Sequence, residues 1–188
     1  TDKTRLIFIA NPNNPTGTWL TENAIQAFIR LVPDNVIVVL DEAYYDYAID
    51  PVLGANGYGS SIALLDKHSN LVITRTFSKA YGLAGLRIGY GISNSVIADL
   101  LNRVRQPFNV NSLALVAAEA ALGDESHLVK SVQANAEGMQ MLIAAFAEMG
   151  LDYIPSVGNF ICVKVGDGAD VYEALLREGV IVRPVANY

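Results

Sequence analysis

Leu6-Ile7-Phe8-Ile9-Ala10 runs directly into Asn11-Pro12-Asn13-Asn14-Pro15-Thr16-Gly17, and that passage decides how the rest of the chain is read. Five consecutive apolar residues without polar alternation predict a strand covered on both faces, as in a parallel sheet. Two prolines and a glycine in the next seven residues cannot continue it, so 11–17 is a loop at the strand's carboxyl end. Thr21 then reads as a helix N-cap, with Ile25, Phe28, Ile29 and Val32 on one face and Pro33-Asp34-Asn35 ending the helix. The unit recurs. Residues 36–40 form a second buried strand closing on Asp41-Glu42-Ala43-Tyr44, and 71–74 a third, followed by a loop over 76–85 rich in Ser, Gly and Lys. Residues 87–92 read as a fourth strand and 96–104 as a helix. The alternation predicts an α/β fold with a mostly parallel sheet.

The strongest helical pattern spans 125–149, where Leu128, Val132, Ala136, Met139, Ile143 and Phe146 recur at spacings of four and three, and Gly150 closes it as a C′ residue. A strand over 160–165, a helix over 170–178 and a strand over 180–183 follow. Residues 1–124 are expected to be part of a large α/β domain. Residues 125–188 are expected to be a linking helix and part of a small α+β domain.

With 188 residues, 52% of them apolar, the chain can bury a sizeable core. Its 19 acidic against 13 basic residues, a formal charge of −6, argue against nucleic acid as a partner. The single cysteine, Cys162, excludes an internal disulfide and a multi-cysteine metal site and favours a reducing, cytoplasmic setting. The polar start Thr1-Asp2-Lys3-Thr4-Arg5 is unlike a signal peptide, and no apolar stretch reaches the ~18 residues of a membrane span. His68 and His127, without suitable partners in the sequence, read as surface residues; no metal site is expected.

Three polar clusters fall just past three strand ends: Asn13/Asn14, Asp41/Tyr44 and Ser78/Lys79. Open α/β sheets bind ligands along that edge, so three clusters in chain order outweigh the reading of each as ordinary loop polarity. Asp41 directly follows five apolar residues, which predicts a poorly hydrated carboxylate in need of an arginine, a backbone amide or the protonated ring nitrogen of a cofactor. Lys79, flanked by aromatic and small residues and near the cation Arg87, is a candidate nucleophilic amine. Gly82, Gly85 and Gly89 lack the G-x-G-x-x-G spacing of a dinucleotide loop.

Taken in order, Asn-Pro-x-Asn-Pro-Thr-Gly, Asp-Glu-Ala-Tyr and Ser-Lys-x-x-Gly-Leu-x-Gly-x-Arg resemble the fold type I pyridoxal-phosphate (PLP) enzymes, within them the aspartate aminotransferase superfamily. Asp41–Tyr45, Thr76–Arg87, Arg105–Asn111 and Val180–Pro184 are similar to the histidinol-phosphate aminotransferase branch, and the resemblance covers essentially the whole chain. It implies that Lys79 is the Schiff-base lysine and general acid/base, and that Asp41 pairs with the pyridinium nitrogen. Asn14 and Tyr44 would bond the ring hydroxyl, and Ser78, Arg87 and Thr76 the cofactor phosphate. Arg183, and Asn14 again, would face the substrate. Asn159-Phe160 matches a recurrent pair without assigned chemistry, while Trp19, Tyr45, Tyr47 and Tyr81 read as packing groups.

The same resemblance implies a partial chain, part of a homodimeric enzyme that moves an amino group from histidinol phosphate, an amino-alcohol phosphate, to a 2-oxo acid. Competing readings are an aromatic or broad-specificity aminotransferase, a threonine-phosphate decarboxylase of the same fold, and a catalytically incomplete binding or interaction fragment. A partial large sheet would also leave an exposed edge and an uncovered apolar face.

Overall fold

The apolar runs become neighbouring strands of one sheet. The structure, a computed structural model, describes residues 2–52 and 54–185. In chain order its elements are β1 (Leu6–Ala10), α1 (Glu22–Ile29), β2 (Ile37–Asp41), α2 (Tyr45–Ala48), β3 (Leu71–Thr76), β4 (Gly89–Ser93) and α3 (Ser95–Val104). Then follow α4 (Ser112–Leu122), α5 (Glu125–Glu148), β5 (Tyr153–Ile154), β6 (Cys162–Val163) and α6 (Gly168–Arg177). The large sheet has the order β1-β2-β3-β4; β1, β2 and β3 are parallel, and β4 is antiparallel to β3. The expected fourth strand therefore starts two residues late and runs backwards. The chain leaves β3 and folds straight back through residues 77–88, and without a crossover helix only an antiparallel pairing is open to it.

Register fixes what matters for function. Ala10 lies beside Asp41, and Asp41 beside Thr74, so three strands end in one row. Beneath that row Val38, Leu40, Leu71 and Ile73 pack with Leu64 and with Ile25 and Ile29 of α1. Thr21 caps α1 as its position suggested, its side chain accepting from the Ala24 amide. Leu6 and Phe8 of the edge strand β1 are exposed, Phe8 to 71%, as are Leu113 and Val116 of α4. β1 is therefore not covered on both faces as its apolar run suggested: its side carrying Leu6, Phe8 and Ala10 is open, the exposed edge expected of the sheet.

Differences from the sequence reading cluster where the pattern was weak. Helix α4 was not expected; its apolar residues go all the way round, so it has no stripe for periodicity to find. It is capped instead by Asn111, whose side chain accepts from the Ala114 amide. Helix α5 matches its pattern and ends at Gly150, whose φ of +66° suits glycine. The expected strand 160–165 shrinks to β6, paired with β5. Residues 180–183 form no strand among the described residues, and Ile181 is 80% exposed. His68 is half-buried rather than a surface residue, lying at the entrance to β3, where its Nε2 is enclosed without a hydrogen-bond partner among the described residues. No helix among the described residues is long and apolar enough to cross a membrane.

Ile73, fully enclosed between β2, β4 and α1, should be costly to truncate. Guanidinium unfolding of Ile73→Ala is expected to show a loss of about 2–5 kcal/mol, whereas Phe8→Ser on the exposed edge should stay within about 0.5 kcal/mol.

Candidate active site

The loop after β1 divides its asparagines between structure and surface. Asn11 is buried, and its side chain imitates a backbone. Its Oδ1 accepts from the Leu20 amide at 2.8 Å, its Nδ2 donates to the Leu20 carbonyl at 3.1 Å, and its own carbonyl accepts from the Tyr58 hydroxyl at 2.8 Å. Asn13 closes the turn, with Nδ2 donating to Thr16 Oγ1 at 2.8 Å and its carbonyl accepting from Gly17 at 2.8 Å. The Asn11–Pro12 and Asn14–Pro15 peptide bonds are cis. Gly17 has a φ of +74°, and a Cβ there would lie 2.0 Å from Ser156 Oγ, so the residue must be glycine for two reasons. The Val157 amide donates to the Gly17 carbonyl at 3.1 Å, tying this loop to the segment after β5. Trp19 sits at the same place, packed on Ala48, Ala55 and Val157 with its indole N–H donating to the Asn56 carbonyl at 3.2 Å.

Held this way, the exposed Asn14 donates from Nδ2 to the Tyr44 hydroxyl at 2.7 Å. Since that hydroxyl accepts from Asn14, its own proton remains available to a third oxygen. The Tyr44 ring is buried in a cluster with Tyr47 and Ala80, backed by Leu128 and Val132 of α5. Phe160 meets it edge-on at 5.0 Å, which gives the Asn159-Phe160 pair its role: Phe160 fixes Tyr44, and Asn159 is exposed. Lys79, half-buried, places its Nζ 5.3 Å from the centroid of the same ring. Asn14, Tyr44 and Lys79, separated by 30 and 35 positions in the sequence, thus converge.

Asp41 departs from expectation. Its carboxylate is exposed, and Oδ1 accepts from the Ala43 amide at 3.1 Å, which makes the backbone amide its partner here. Along β2, Val38 and Leu40 are buried while Ile37 and Val39 are half-buried, and Asp41 shares their side of the strand. A continuous apolar run conceals that parity. The buried carboxylate is the next residue, Glu42. Its Oε2 accepts from Arg75 Nε at 3.0 Å and Nη2 at 2.7 Å, and its Oε1 from the Ser61 amide at 3.2 Å. Sequence reasoning missed this pair; the one available signal was Arg75, a charge in a strand that opens on three buried apolar residues.

The turn leaving β3 gathers donors. Thr76 Oγ1 accepts from the Ser78 amide at 3.0 Å and donates to the Ile88 carbonyl at 3.5 Å, so its hydroxyl shapes the turn. Arg87 Nη1 donates to the Ala84 carbonyl at 2.8 Å and reaches Ser78 Oγ at 3.5 Å, and Arg87 itself is left-handed, with φ 52°. A non-glycine residue held there costs about 1–3 kcal/mol, and such residues cluster at functional sites. An exposed guanidinium beside a hydroxyl and close to a lysine can hold an anion such as a phosphate. Arg183 is exposed beyond α6, in the segment that forms no strand. Trp19, Tyr45, Tyr47 and Tyr81 pack in the interior clusters or on Arg75, as expected.

A lysine amine, a carboxylate at the central strand end, an amide–phenol pair and a guanidinium–hydroxyl pair suit a small ring bearing an aldehyde, a basic nitrogen, a hydroxyl and a phosphate. The comparisons agree. All 188 residues match the family model for class I and II aminotransferases, and the chain belongs to that family. It is 60% identical over 186 residues to histidinol-phosphate aminotransferase 2 of Pseudomonas fluorescens, covering 98% of this chain and 49% of that protein. The crystal structure of histidinol-phosphate aminotransferase from Sinorhizobium meliloti in complex with pyridoxal-5'-phosphate superposes with a TM-score of 0.86 at 34% identity, over 97% of this chain and 50% of that one. L-threonine-O-3-phosphate decarboxylase from Porphyromonas gingivalis superposes with a TM-score of 0.81 at 26% identity, over 98% of this chain and 55% of that one. The chain thus spans about half the length of the curated relatives it matches, and its fold is that of the type I PLP aminotransferases.

Asp46, at the start of α2, has its pKa raised, because burial disfavours its charge more than Arg75 favours it. The folded protein therefore binds this proton more tightly than the unfolded chain, and stability falls as pH rises above 3.8 through the raised value. Asp46→Asn should abolish that decline: thermal melts across pH are expected to show the variant at least as stable as wild type at neutral pH, and without advantage below the ordinary carboxyl range.

Proposed function

We propose that the native-length protein is a PLP-dependent aminotransferase that takes the amino group of histidinol phosphate and gives it to 2-oxoglutarate. The donor leaves as the corresponding oxo compound and the acceptor as glutamate. The observation that carries this reading is the convergence of Asn14, Tyr44 and Lys79 past the ends of three parallel strands, in a chain 60% identical to a histidinol-phosphate aminotransferase. When bound, PLP supplies the electron sink that receives the pair left on Cα as its proton departs.

The residues of this chain do the rest. Lys79 Nζ would hold the cofactor and, once released, would serve as the amine that takes up and returns the substrate's proton. Asp41, exposed at the end of β2, accepts a hydrogen bond from the ring nitrogen and keeps it protonated. Tyr44 directs its hydroxyl proton to the ring oxygen, with Asn14 holding that hydroxyl from behind and lying on the substrate side. Ser78 and Arg87 grip the phosphate, and Thr76 fixes the Ser78 amide in the turn that presents them. Arg183 meets the phosphate of the substrate. Residues 1–124 contribute to a large domain and 125–188 to a small one, in a cytoplasmic homodimer.

Threonine-phosphate decarboxylase is the second reading, supported by the 0.81 TM-score to such an enzyme. Both readings use the same cofactor machinery and part at the substrate. The chemistry is tested by adding PLP, reducing with borohydride and mapping the modified peptide. Label confined to Lys79 and lost in Lys79→Ala is expected; scattered label, or none in the native-length protein, would overturn the assignment. Steady-state assays should then give transamination of histidinol phosphate rather than carbon dioxide from threonine phosphate. Activity of the isolated 188 residues would exclude the reading of this chain as an incomplete binding fragment.

A further inference from the structure

The site's own residues make no use of Glu42 and Arg75, yet Glu42 is the most enclosed polar residue beside it. The Glu42 side chain is 1% exposed and that of Arg75 13%. Arg75 approaches Glu42 with the fork of its guanidinium, Nε at 3.0 Å and Nη2 at 2.7 Å on the same oxygen. Nη2 also donates to Ser60 Oγ at 3.1 Å, and the guanidinium carbon lies 3.5 Å over the Tyr45 ring. The backbone repeats the link, with the Glu42 amide donating to the Thr74 carbonyl at 2.8 Å. Burial works against the Arg75 charge, but the hydrogen bond and charge of Glu42 outweigh it and raise its pKa.

Position gives the pair its meaning. Glu42 stands between Asp41 and Tyr44, while Arg75 stands four residues before Lys79. Each side of the ion pair is thus rooted in one of the two segments that must meet for the site to form. A buried ion pair is a poor stabiliser compared with apolar residues of the same volume, because two charges must be desolvated. In some proteins such a pair instead specifies one arrangement.

Resting on the reading of the site as a PLP site, we propose that Glu42 and Arg75 are its positioning residues. They lock the carboxyl ends of β2 and β3 together, so that the Tyr44 hydroxyl and the Lys79 amine address the cofactor from fixed points. The charged and titratable groups facing the pair are Asp46 of α2, Tyr45, Tyr58, Tyr81, and Tyr90 of β4. None of them shares the fork.

The double variant Glu42→Gln/Arg75→Met removes both charges of the pair together and should keep the fold; Asp46, which loses the favourable charge of Arg75, takes up a proton more readily. On the native-length protein with PLP, two quantities are read: the affinity for PLP, and the pH midpoint of the visible band of the Lys79-linked cofactor. Tyr44 stabilises the deprotonated form by donating to its ring oxygen, so misplacing it raises the midpoint. An upward shift of about half a pH unit or more is expected, with PLP bound about tenfold more weakly. A melting temperature cannot mimic the midpoint shift. A folded double variant with wild-type midpoint and affinity overturns the proposal alone. Wild type taking no label at Lys79 overturns the PLP reading and this proposal with it. If the double variant fails to fold, Arg75→Lys, which keeps charge but loses the fork, must show the same upward shift in smaller measure; an unchanged midpoint there rejects the proposal.

Discussion

Parallel pairing in a single register is the constraint on which the site depends. Parallel strands all finish at the same edge, and alignment of Ala10, Asp41 and Thr74 brings three loops out side by side. A slip of one residue in β2 would exchange its two faces, turning Asp41 toward the side where Leu40 is buried and Glu42 away from Arg75. The buried side of the sheet, Val38, Leu40, Leu71 and Ile73 against α1, penalises such a slip. The hydrophobic core therefore sets the alignment, and the polar residues use it.

Around that edge the chain is held by parts distant in sequence. The segment after β5 closes on Gly17, Phe160 braces Tyr44, and α5 backs the same ring through Leu128 and Val132. The expected division into 1–124 and 125–188 is thus bridged at the site itself. The packing of Tyr44 draws on both portions.

How much of this was legible in the sequence follows from the kind of signal each feature leaves. Strands β1, β2 and β3 were readable because each writes an unbroken apolar run, but the run does not tell how far each face is covered: β1 leaves Leu6, Phe8 and Ala10 exposed, while β3 opens on three buried residues. Helix α5 was readable because a helix with one buried stripe writes a period. The three polar clusters were readable because strand ends locate them. The direction of β4 was not, since direction depends on whether the connection crosses over, and the mixed apolar, glycine and charged residues of 77–88 write no period that would settle it. Nor could the sequence distinguish Asp41 from Glu42 as the buried acid. Adjacent residues point to opposite sides, and only the partner, Arg75 across the sheet, decides which is enclosed. The role of Phe160 was invisible for a similar reason, because an edge-on contact with Tyr44 leaves no local pattern.

Trp19 carries a consequence for observing this protein. It is the sole tryptophan in the chain, and its indole stands where the loop after β1 meets Val157. Its N–H is engaged by the Asn56 carbonyl, so the ring is immobilised at the junction. Excited at the red edge of aromatic absorption, these 188 residues have one emitter, with their nine tyrosines left dark. Its emission reports on the loop that presents Asn14, and gives the site an optical reporter without any label.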